Sequence, residues 1–145
     1  MSGHEAARVA RDAATAKGDL YLKLSSMMCW DAVQHCQSLA GGGGGGAITT
    51  GSHGHVIRLT DKSISSASEM RQVPQGAFIG FFNVGTLVHA MIATGHGMAA
   101  GNKNACIALG SPVGWEILDL AGRLTWRGRG IAAGGRSLGV RYRRM

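Results

Sequence analysis

Apolar positions recur at two different spacings along the chain. Residues 4–17 (HEAARVARDAATAK) are alanine-rich and predict a helix, with Gly18 placed to cap its end. A short helical or irregular stretch follows over residues 19–28. Residues 29–40 (CWDAVQHCQSLA) predict a second helix: Cys29, Val33, Cys36 and Ala40 fall at i, i+4, i+7 and i+11, on one face. Six glycines at 41–46 stop it. That run reads either as a natural loop or as an inserted flexible linker, and carries no chemistry in either case.

The second half changes period. Residues 47–59 read as extended, and residues 63–71 (SISSASEMR) as a short helix with serine at its start. A Val73-Pro74-Gln75-Gly76 turn leads into a buried strand over 77–82 (AFIGFF). A second strand covers 86–94 (TLVHAMIAT), and a third covers 98–109. Edge strands are expected at 115–120 and 124–127. Helices first and a strand meander afterwards predict an α+β fold with an antiparallel sheet.

Composition sharpens this picture. Glycine supplies 24 of 145 residues without a Gly-X-Y period, and 45% of the chain is hydrophobic, so neither collagen nor a disordered chain fits. The net charge of +7 is confined to the end. Residues 1–122 balance and read as one domain. Residues 123–145 hold Arg123, Arg127, Arg129, Arg136, Arg141, Arg143 and Arg144 without an acid. A solvated basic terminus is the plain expectation for that segment. The alternatives are a nucleic-acid-binding module or weak contact with an anionic surface. No signal peptide and no membrane span are expected, and three cysteines argue against a disulfide framework.

Candidate chemistry centres on Cys29. At a helix start, unpaired N–H groups and the positive end of the dipole favour a thiolate. The competing reading is a buried small hydrophobe. Cys36 is two turns on, about 10 Å away at 1.5 Å per residue, and belongs to the core, as Cys106 is expected to. His89 lies within an apolar strand, with Val88 and Ala90 on the opposite face, and needs a polar partner. Asn102 and Asn104 on the following segment share a face and supply candidates. Trp30 walls a cleft or fills the core. His96 is expected in an exposed turn, and His35 toward solvent. His53 and His55 share a strand face but lack further ligands at a metal-binding spacing, so no metal is expected.

The order of these parts resembles the NlpC-type peptidases, compact papain-like cysteine hydrolases of bacterial cell-wall peptides. VPQGAFIGFF at 73–82 resembles the family's turn into an apolar strand. LVHAMIATGHGMAAGN at 87–102 resembles its histidine strand and the following strand. The resemblance implies a papain-like, NlpC-type core: helices packed on an antiparallel meander. It implies Cys29 as nucleophile, His89 as base and Asn102 as orienting residue, with Asn104 the alternative. The sequence departs from the family at Trp30-Asp31, where the family has Ser-Gly after an aspartate. The expected activity is amide hydrolysis of a peptide or protein without a cofactor. A glutamine deamidase or acyltransferase toxin is the alternative, and an inhibitor or immunity protein is a possible partner. The implied location is the bacterial cytoplasm before export, or secretion by a specialised system.

Overall fold

The computed structural model describes residues 2–41 and 62–145; residues 47–59, with His53 and His55, lie outside them. Three helices open the chain: α1 (Ser2–Ala16), α2 (Asp19–Ser26) and α3 (Cys29–Leu39). The turn between α1 and α2 forms at Lys17, in the left-handed region at φ 53°, so Gly18 begins α2 rather than capping α1. Strand β1 (Lys62–Ser63) and helix α4 (Ala67–Arg71) follow. Ser66 caps α4 by accepting the Glu69 N–H through its hydroxyl at 3.1 Å, so the helix begins at Ala67, four residues later than the start expected from sequence.

The remaining elements are β2 (Phe78–Asn83), β3 (Thr86–Gly95), β4 (Met98–Gly101), β5 (Glu116–Asp119), α5 (Leu120–Arg123), β6 (Thr125–Arg127), β7 (Gly130–Ala133) and β8 (Arg136–Arg143). The strands form one antiparallel sheet in the order β5-β4-β3-β2-β8-β7-β6, with β1 paired to β8. The architecture is α+β.

At β2 and β3 both faces of the sheet are buried. On one, α1 and α3 pack over Phe78, Phe82, Leu87, Ala90 and Ile92. On the other, Ile79, Phe81, Met91 and Ala93 meet Met70 of α4 and Leu120 of α5. This explains the unbroken apolar run in β2, which has no solvent face to show polar residues to. Opposite the step from Phe81 to Phe82, β3 carries an extra residue, because Phe81 pairs with His89 and Phe82 with Leu87. Val88 is that residue, and it packs on the core face opposite the helices, with Phe81 and Met91, rather than on the helix side with Ala90.

Two sequence expectations fail here. The third strand does not run to 109: it ends at Gly101, and Asn104–Ile107 form a 3-10 turn. Lys103 and Ala108, at φ 52° and 61°, break the extended backbone on either side. Residues 123–145 are not a solvated tail. Leu138, Val140 and Tyr142 alternate into the core, and β8 pairs with β2 in mid-sheet. Gly139 and Arg141 stand between them. Among the described residues, no helix is long and apolar enough to cross a membrane.

Candidate active site

Cys29 is the first residue of α3, reached through an extended elbow at Met27 and Met28. That elbow is held from the segment after β4. Asn102 donates its Nδ2 to the carbonyls of Leu24 and Met27, both at 2.7 Å. Lys103 donates Nζ to the carbonyls of Ser25 and Met27 at 3.1 and 2.9 Å. The Leu24 carbonyl also accepts the Met27 N–H at 3.4 Å, and the two side chains complete the hydrogen bonding at this end of α2. Trp30 points into the helix-side core and is 5% exposed, so it walls no open cleft.

His89 sits in β3 on the face opposite the helices, its ring centroid 5.6 Å from that of Phe81. Its Nε2 lies 2.9 Å from Asn104 Oδ1. The Asn104 amide is directed by its other partners. Nδ2 donates to the Gly101 carbonyl at 2.8 Å and to Glu116 Oε2 at 3.0 Å, which leaves Oδ1 to face the imidazole. An acceptor opposite Nε2 requires the proton on Nε2, so Nδ1 carries the lone pair. Gly101 makes room for this contact, since a Cβ there would come 2.8 Å from Asn104 Oδ1. The residue carried over from the resemblance as orienting group, Asn102, serves the elbow instead. Its Oδ1 is buried without a hydrogen-bond partner among the described residues.

Cys29 and His89 meet at the backbone. The β3–β4 pairing reaches Ile92 and Ala100 and stops there. Beyond it, the backbone amide of Ala90, the residue after His89, is near enough to the Cys29 thiol to lower its pKa, as are those of Trp30 and Cys29 itself. No hydrogen bond joins the thiol to the imidazole. Cys29 packs with the helix-side core, whereas the His89 ring lies against Phe81 on the other.

Burial sets the charge state. It pushes the Cys29 thiol up to about 11, against the opposing pull of its backbone donors. It pushes His89 down to about 4, with the Asn104 bond acting the other way. At neutral pH both groups are uncharged. The dipole-stabilised thiolate expected at a helix start is therefore absent from this state, because desolvation outweighs three N–H groups.

The other candidates divide plainly. Cys36 is buried in the core and its thiol is pushed up to about 12 by burial. Cys106 is exposed on the 3-10 turn rather than buried in a strand. His96 is exposed at a turn with φ 56°, and His35 is half-buried. Among the described residues, no group of three His, Cys, Asp or Glu side chains gathers as a metal site. Sequence reasoning missed Glu116 and Lys103. Glu116 reads there only as part of an edge strand, and no local spacing ties it to Asn104.

Compared with known proteins, the chain matches no protein-family model, no curated protein and no solved structure.

Proposed function

We propose that this chain is a cysteine hydrolase with a papain-like, NlpC-type core that cleaves an amide bond in a peptide or protein. The reading is carried by one observation: the imidazole of His89 is held by Asn104 through Nε2, which leaves Nδ1 as a base. The position of the Cys29 sulfur, against the peptide that follows His89, supports the pairing.

In the proposed reaction the Cys29 sulfur attacks the amide carbonyl, and the thiol proton passes to His89 Nδ1. The C–N bond breaks as His89 returns that proton to the leaving amine. Water, deprotonated by His89, then cleaves the thioester and regenerates the thiol. Backbone N–H groups at the start of α3 would receive the oxyanion in this reaction. Substrate binding has to open the site and bring the Cys29 sulfur and the His89 ring, which lie on opposite faces of β3, to one side, since Cys29 is 6% and His89 1% exposed. Opening rehydrates both groups and brings their pKa values toward each other.

The test uses an activated acyl ester and requires no knowledge of the natural substrate. Intact-mass analysis should show a hydroxylamine-labile acyl group on Cys29. It should be absent from Cys29→Ala and strongly slowed in His89→Ala. Equal acylation of Cys29 with and without His89 would overturn the assignment.

A further inference from the structure

The hydrogen-bond path from His89 does not stop at Asn104. It ends on a carboxylate from a separate strand. Glu116 Oε2 accepts Asn104 Nδ2 at 3.0 Å and the backbone N–H of Ser111 at 2.6 Å. The site is shaped for that carboxylate. Gly110, at φ 81°, faces it so closely that a Cβ would stand 2.6 Å from Glu116 Oε2 and 3.2 Å from Asn104 Cβ. Any other L residue there would both be strained and displace the contact.

An amide side chain has two nearly isosteric ends, and its own packing does not choose between them. If the Asn104 amide reversed, it would present a donor to His89 Nε2. The imidazole would then have to keep its proton on Nδ1, the nitrogen needed as base. A carboxylate accepts only, so it forces Asn104 to present Nδ2 toward it and Oδ1 toward His89. The Gly101 carbonyl, at 2.8 Å, adds a second acceptor on the same side.

We propose that Glu116 is a positioning residue: its carboxylate locks the Asn104 amide and through it fixes the His89 tautomer. The inference rests on the proposed role of His89 as base. Burial and the Asn104 contact are what act on His89, with no charged group among the causes of its shift. Glu116 is the side chain that directs Asn104, together with the Gly101 carbonyl.

The experiment reads the tautomer itself. In full-length protein with 15N-labelled histidine, long-range 1H–15N correlations at neutral pH should show His89 protonated at Nε2 only. Glu116→Leu removes the acceptor and should give mixed tautomers, with Cys29 acylation by the activated ester slowed about 10²-fold, as for a misplaced catalytic group. Glu116→Gln retains an acceptor oxygen and should restore the Nε2 form and much of the rate. Where Glu116→Leu does not fold, Glu116→Asp withdraws the carboxylate by one methylene and should mix the tautomers likewise. A single Nε2 tautomer in folded Glu116→Leu or Glu116→Asp overturns the proposal. Mixed tautomers in a protein whose Cys29 never acylates would uphold the positioning role and remove the hydrolase reading instead.

Discussion

Asn104 Oδ1 stands 2.9 Å from His89 Nε2, while the neighbouring Asn102 turns away and spends both Nδ2 protons on the elbow before Cys29. Two asparagines separated by one residue thus serve opposite halves of the site. Their variants should separate. Asn104→Ala should slow Cys29 acylation by about 10²-fold, as expected for disturbing a general base. Asn102→Ala should cost about 1–3 kcal/mol of stability by removing two buried hydrogen bonds, and should leave the His89 tautomer unchanged. Urea unfolding together with acylation kinetics distinguishes the two. If Asn102→Ala shifted the tautomer and Asn104→Ala did not, the roles given to them would be reversed.

Thiol labelling should follow exposure. Cys106 is exposed, whereas Cys29 and Cys36 are buried with thiols pushed up to about 11 and about 12. A small alkylating reagent at neutral pH should modify Cys106 first, the reverse of the order expected from the helix-start position of Cys29. Peptide mapping after timed quenching gives the order. Fastest labelling at Cys29 would show that the closed arrangement is not the main state in solution.

Stability should fall on both sides of neutrality. Burial depresses His89 from 6.5 to about 4, so between these values the unfolded chain binds the proton that the folded chain refuses. Its contribution is complete above pH 6.5 and is lost as pH falls toward 4, by about 3 kcal/mol in all. On the alkaline side, Cys29 and Cys36 are raised from 9.0, so unfolded thiols ionise first and stability declines as pH rises past 9. Urea midpoints from pH 4 to 10 should trace this plateau. His89→Gln should flatten the acid limb, and an unchanged acid limb in that variant would refute the linkage.

The C-terminal segment should prove indispensable to the fold. Removing residues 136–145 deletes β8, which lies between β2 and β7. Val140→Asp buries an unpaired charge at a position 1% exposed and should cost more than about 3 kcal/mol. Circular dichroism melts provide the measurement. A truncated protein melting at the wild-type temperature would restore the solvated-tail reading.

Local pattern decided much of this molecule. The helical face of Cys29, Val33 and Cys36 is visible in sequence and packs as one stripe of the core. The apolar runs at 77–82 and 86–94 mark their strands to within a residue at each end, because burial on both faces leaves little room for polar residues. The sequence alone also singled out Cys29, His89 and the two asparagines as the residues able to do chemistry. Only tertiary structure decided how they pair. A strand that ends at Gly101 instead of 109 puts Asn102 and Asn104 on different partners, and that ending depends on the left-handed backbone at Lys103. Glu116 joins the path from β5, twelve residues beyond Asn104, through a contact with no sequence period. Charge states followed the same rule. A helix start favours a thiolate locally, but desolvation depends on everything packed above it, and at Cys29 that burial prevails.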